Sequence, residues 1–71
     1  MNEQIRQGIL DYKKPFCITN LYIYFERLGI TDKNSILNVL DEMFDEGIII
    51  YDEIPEEYTI ANGPKYAFMV K

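Results

Sequence analysis

Twelve carboxylates, six phenols, one thiol and no imidazole are what this 71-residue chain offers for chemistry. Without histidine, no unperturbed side chain changes charge between pH 5 and 8. Acid–base catalysis would then fall to a carboxylate pair tuned by burial in a cleft, and a chain this short builds little cleft. The carboxylates also fail as a calcium loop. Asp41, Asp45 and Asp52 approximate positions 1, 5 and 12, but Met43 stands where position 3 needs an oxygen ligand, and Gly47 comes one place late. Cys17 has no activating neighbour in the sequence and reads as a buried, inert thiol. There is no glycine-rich phosphate loop and no Cys/His set with zinc spacing. Neither catalysis nor a metal or cofactor is expected.

Recognition chemistry is better represented. Lys33, Asn34 and Asn38 open a helical stretch. A carboxamide there can meet an adenine edge through two hydrogen bonds, and a lysine can meet a phosphate. Arg27, Lys13 and Lys14 supply further cations if the fold brings them to the same side. Asn34 and Asn38 read equally well as ordinary solvated helix residues. Tyr22 and Ile23 lie off the apolar face of their own helix and make a possible protein-contact patch, since tyrosine is enriched at interface centres.

Charge distribution pulls the other way. The net charge is −5. Residues 1–35 hold five Lys/Arg against four Asp/Glu, a net +1, whereas residues 36–71 hold two Lys against eight Asp/Glu, a net −6. All eight of those acids fall between Asp41 and Glu57, with no cation among them. A chain that binds nucleic acid through its phosphates shows the opposite bias. Asp41, Asp45, Glu56 and Glu57 instead suit a solvated face, a docking face for a basic partner protein, or a DNA-like display of charge.

The elements that position these residues follow from periodicity and punctuation. Glu3 to Lys14 reads as a first helix, with Ile5, Ile9 and Tyr12 on one face, Leu10 at its margin, and Pro15 ending it. Phe16-Cys17-Ile18 is an extended link or brief strand. Thr19 is the expected N-cap of a second helix, Leu21, Tyr24, Phe25 and Leu28 its inner face, and Gly29 its close. Asp32 or Thr31 caps a third helix, whose inner stripe is Ile36, Leu40 and Met43, widened by Leu37, Val39 and Phe44. Gly47 stops it. Ile48 to Ile54 is β-branched and aromatic and reads as a strand, broken by Pro55. Tyr58 to Ala61 is a further short strand, Asn62-Gly63 a hairpin turn, and Lys65 to Val70 the last strand, with Tyr66, Phe68 and Val70 on one face.

Helix, link, helix, glycine turn, helix, strand, wing, strand: in this order the chain resembles the winged helix-turn-helix superfamily. The residues that carry the resemblance are Ile18-Thr19 leading into Leu21, Leu28-Gly29-Ile30 as the turn, Ile36, Leu40 and Met43 on the third helix, and Glu46-Gly47-Ile48-Ile49 at the helix-to-strand joint. It covers nearly all of residues 1–71. The implied fold is α+β, three helices followed by a small antiparallel β-hairpin sheet, as one domain with 48% hydrophobic residues. The implied function is DNA binding by a small transcriptional regulator, with the third helix in the major groove. A homodimer would gather Lys13, Lys14, Arg27 and Lys33 on one side. The wing, Pro55 to Pro64, departs from that pattern, because it carries Glu56 and Glu57 and no cation.

Two functions are thus expected, in this order: a DNA-binding regulator, and an acidic winged helix that binds a protein and not DNA. A lone cysteine and no disulfide framework fit a cytoplasmic setting. No apolar run approaches the roughly 18 residues of a membrane span, so a membrane is not an expected partner.

Overall fold

The computed structural model describes residues 2–71. Three helices, α1 (Asn2–Tyr12), α2 (Ile18–Arg27) and α3 (Lys33–Asp45), precede two strands, β1 (Ile49–Glu53) and β2 (Tyr66–Val70). The strands pair antiparallel with Ile49 opposite Val70 and Glu53 opposite Tyr66. Phe16, in the link between α1 and α2, adds one bridge on the far side of β2, exchanging backbone bonds of 2.8 and 2.9 Å with Phe68. This is the α+β layout of a winged helix.

Each helix contributes the centre of its predicted stripe to one core. Ile5 and Ile9 of α1, Leu21 and Phe25 of α2, and Ile36, Val39, Leu40 and Met43 of α3 close around Phe16 and Ile49, and all are buried. Burying each such side chain stabilises by roughly 1.5–3 kcal/mol relative to exposure. Gly8 is required where α1 meets α2. A Cβ there would lie 2.5 Å from the Phe25 ring, so only a hydrogen lets the helices approach.

Two glycines end α2 and α3 in the same way. Gly29 and Gly47 adopt φ of +83° and +78°, a left-handed conformation that L side chains resist. Past α3, the Gly47 N–H donates to Phe44 and the Ile48 N–H to Met43, each at 3.0 Å. Past α2, Gly29 donates to Glu26 at 3.0 Å and Ile30 to Phe25 at 2.8 Å. Both are Schellman closures that satisfy the last carbonyls and fold the next apolar residue back onto the core.

Five local expectations are corrected. First, α1 ends at Tyr12 instead of Lys14, with Lys13 left-handed at φ +59°. Pro15 disfavours helical geometry at Lys14, so the chain leaves the helix early and Lys13 takes a role usually given to glycine. Second, the N-cap of α2 is Cys17 and not Thr19. The Asn20 carboxamide oxygen accepts from the Cys17 N–H at 2.9 Å and its Sγ at 3.1 Å, which starts the helix earlier and leaves the thiol exposed where burial was expected. Third, Leu28 is 58% exposed, because α2 stops at Arg27 and Ile30 turns back to the core in its place. Fourth, Tyr58 to Ala61 is no strand. After Pro55 the chain makes a 3-10 turn, Glu56–Tyr58, in which Pro55 accepts from the Tyr58 N–H at 2.9 Å and the Thr59 hydroxyl at 3.2 Å. Fifth, Asn62-Gly63 does not join two strands. Asn62 is left-handed at φ +64°, and Gly63 closes a local turn onto Ile60 within a loop that runs from residue 54 to 65.

The β1 expectation stands. Lys71 donates to Ile48 and Ile54 donates to Lys65, each at 2.8 Å, so paired backbone covers the whole apolar run around Ile49–Glu53. Asp32, the expected cap to which Thr31 was the alternative, caps α3 by accepting from the Ser35 N–H at 3.2 Å.

Candidate functional site

The outward face of α3, where the resemblance would place a ligand, is not a plain polar arc. Asn34, Asn38, Asp41 and Asp45 are exposed as expected. Between them stand Leu37, half-buried, and Phe44, 45% exposed. Leu37, Asp41 and Phe44 recur at i, i+4, i+7, so they share one ridge. The sequence stripe assigned Leu37 and Phe44 to the core. With Ile36, Val39, Leu40 and Met43 already filling the inward arc, both are left at its edge.

Opposite this ridge lie Ile18, at the start of α2, and Phe68 of β2. Together with Leu37, Asn38, Leu40, Asp41 and Phe44 they line an open depression of about 460 Å³. Its lining is mostly apolar, with Asn38 and Asp41 as the polar residues. Phe68 sits there because its backbone is held by Phe16 on one edge of β2, while its ring packs edge-on against Phe44 with centroids 6.3 Å apart.

The apolar surface continues out along the sheet. Side chains alternate faces along a strand, so Ile49, Tyr51 and Glu53 share a face with Val70, Phe68 and Tyr66. The end near α3 is core. Farther out, Tyr51 contacts Phe68 at 4.9 Å between centroids and stacks on Tyr66 at 6.1 Å. Tyr51 is 56% and Tyr66 48% exposed.

The cations do not gather on this face. The Lys33 ammonium sits over the Tyr22 ring, 5.1 Å from its centroid, beside a small depression with Glu26 and Thr31. Arg27 and Lys14 line a different depression with Ile23, Tyr12 and Tyr24. Lys13 and Lys14 also line a third, against Pro55, Tyr58 and Met69. Arg6 pairs with Glu46, tying α1 to the end of α3, and this partner raises the guanidinium pKa above its usual value. The six candidate DNA contacts thus divide between α3 and the α1–α2 side. The candidate protein contacts divide as well. Tyr22 is half-buried under Lys33 while Ile23, 47% exposed, faces Arg27, so they form no joint patch. Glu56 and Glu57 ride on the turn beside Lys13 and Lys14, apart from Asp41 and Asp45.

At the N-terminus of α3, Asp32 accepts from the Ser35 backbone and its hydroxyl, the latter at 2.9 Å, and these bonds hold its carboxyl below the ordinary range. Among the described residues no group of three or more His, Cys, Asp or Glu side chains is placed to hold a metal. No helix among them is long and apolar enough to cross a membrane. No protein-family model, curated protein or solved structure matches this chain.

Proposed function

We propose that this chain is a winged-helix domain that binds another protein through the outward face of α3. The observation that carries the reading is the depression between α3 and β2. On the surface that should enter a DNA groove, Leu37 and Phe44 interrupt the polar residues, Asp41 lies beside them, and the apolar surface continues into the half-exposed Tyr51 and Tyr66. Apolar centres with aromatic residues and a polar rim are the anatomy of protein interfaces. Phosphate recognition needs cations around the reading helix, and the one on α3, Lys33, already rests on Tyr22. This ranks protein binding above the DNA-binding regulator that the resemblance implies.

The test has two arms. Titration against duplex DNA at low salt is expected to show no binding at micromolar protein. Affinity capture from cells is expected to retain a partner that Phe44→Ser releases, with circular dichroism confirming that the variant is folded. DNA binding with a steep salt slope, weakened by Lys33→Glu, would restore the regulator and remove this proposal.

A further inference from the structure

The depression also indicates what kind of segment it receives. Its lining takes in two turns of α3, from Leu37 to Phe44, together with Ile18 and Phe68. Apolar residues spaced along two helical turns suit a second helix, whose side chains at i, i+4 and i+7 fall between the ridge residues.

The charge around the trough narrows the occupant further. Asp41 is on its wall, and Asp45 lies one turn farther on the same face of α3. Glu53 ends the row that Tyr51 begins on β1, and so flanks the outer end of the aromatic surface. Asp41, Asp45 and Glu53 have no ion-pair partner among the described residues, where the one salt bridge joins Arg6 to Glu46. No cation lines the trough. The exposed, mutually stacked Tyr51 and Tyr66 add faces that attract a guanidinium or ammonium group.

We infer that the trough binds a basic amphipathic helix of a partner protein. An apolar stripe of that helix enters between Leu37, Phe44 and Phe68, and Lys or Arg on its flanks meets Asp41, Asp45 and Glu53. A second copy of this chain fits less well, because each copy carries a net charge of −5. The inference rests on the reading of this face as a protein-binding one and adds the chemistry of the partner.

A pair of synthetic peptides tests it on the full chain. Both carry leucine at i, i+4 and i+7 of a helix. One has lysine at all flanking positions and the other glutamate. Binding is followed by amide chemical shifts of the labelled protein. The lysine peptide is expected to shift Leu37, Asn38, Asp41, Phe44 and Phe68, and to bind at least about tenfold more tightly than the glutamate peptide. Asp41→Lys with Asp45→Lys, both exposed sites, is expected to reverse that preference while leaving the melting temperature nearly unchanged. Equal affinity for the two peptides overturns the inference, as do shifts confined to Lys13, Lys14 and Arg27, or no shift with either peptide at millimolar concentration. If the peptides fail while cellular capture still depends on Phe44, protein binding stands and the basic helix is wrong. If capture fails too, both fall.

Discussion

Asp32 shows how much one exposed side chain organises. Its carboxylate holds the first turn of α3 by accepting from Ser35, and so sets where the helix begins relative to Lys33 and Asn34. Replacing it with alanine is expected to lower the melting temperature. The pH dependence has a definite sign. The folded pKa lies below the ordinary 3.8, so the stabilisation is fully present above that value and is lost as pH falls through the folded pKa. The melting difference between Asp32→Ala and the parent should therefore be largest near neutrality and shrink in strong acid. A constant difference down to the most acidic conditions that permit folding would show that the carboxylate charge is not responsible. Lys13 is the converse case, a residue with an unfavourable backbone. A left-handed L-residue costs roughly 1–2 kcal/mol, which glycine avoids while losing more freedom on folding. Lys13→Gly is expected to stabilise by about 0.5–1 kcal/mol in urea denaturation.

Between elements, close approach matters more than propensity. Alanine is the better helix former than glycine by about 1 kcal/mol, so Gly8→Ala looks favourable for α1 considered alone. In the folded chain the new methyl meets Phe25, which is itself buried and packed against Tyr24. Overpacking of this kind costs about 1–3 kcal/mol, and the variant is expected to be less stable than the parent by urea denaturation. Leu28 and Leu21 form a second contrast at the same scale. Both belong to the apolar spacing of α2, but Leu21 is buried and Leu28 is not. Leu21→Ala should cost about 2–5 kcal/mol, and Leu28→Gln should change stability by no more than about 0.5 kcal/mol. A large loss at Leu28 would mean that it is covered in solution by a surface absent from the monomer.

Across the whole molecule, charge and apolar exposure together mark out the candidate face. Eight acids between Asp41 and Glu57 were visible in the order of residues alone, as were the helix stops at Gly29 and Gly47 and the run that becomes β1. These are local facts. A left-handed glycine ends a helix wherever that helix packs, and an apolar run of β-branched residues becomes a strand when it meets one partner. The division of the acids was not visible, because Asp41 and Glu57 are joined by a strand and a loop whose path depends on β2. The depression was not visible either. Leu37 and Phe44 have apolar spacing that suits the core, and only the filling of that core by Ile36, Val39, Leu40 and Met43 leaves them outside. Whether Phe44 also meets a hydrophobic wall depends on Phe68, which pairing with Phe16 and Tyr51 brings beside it from a distant part of the chain. The sequence by itself therefore determined the α+β layout and the sign of the charge, since both depend on nearest neighbours and composition. The tertiary structure decided which residues form the face, because a site assembled from α2, α3 and β2 exists only when long-range packing closes.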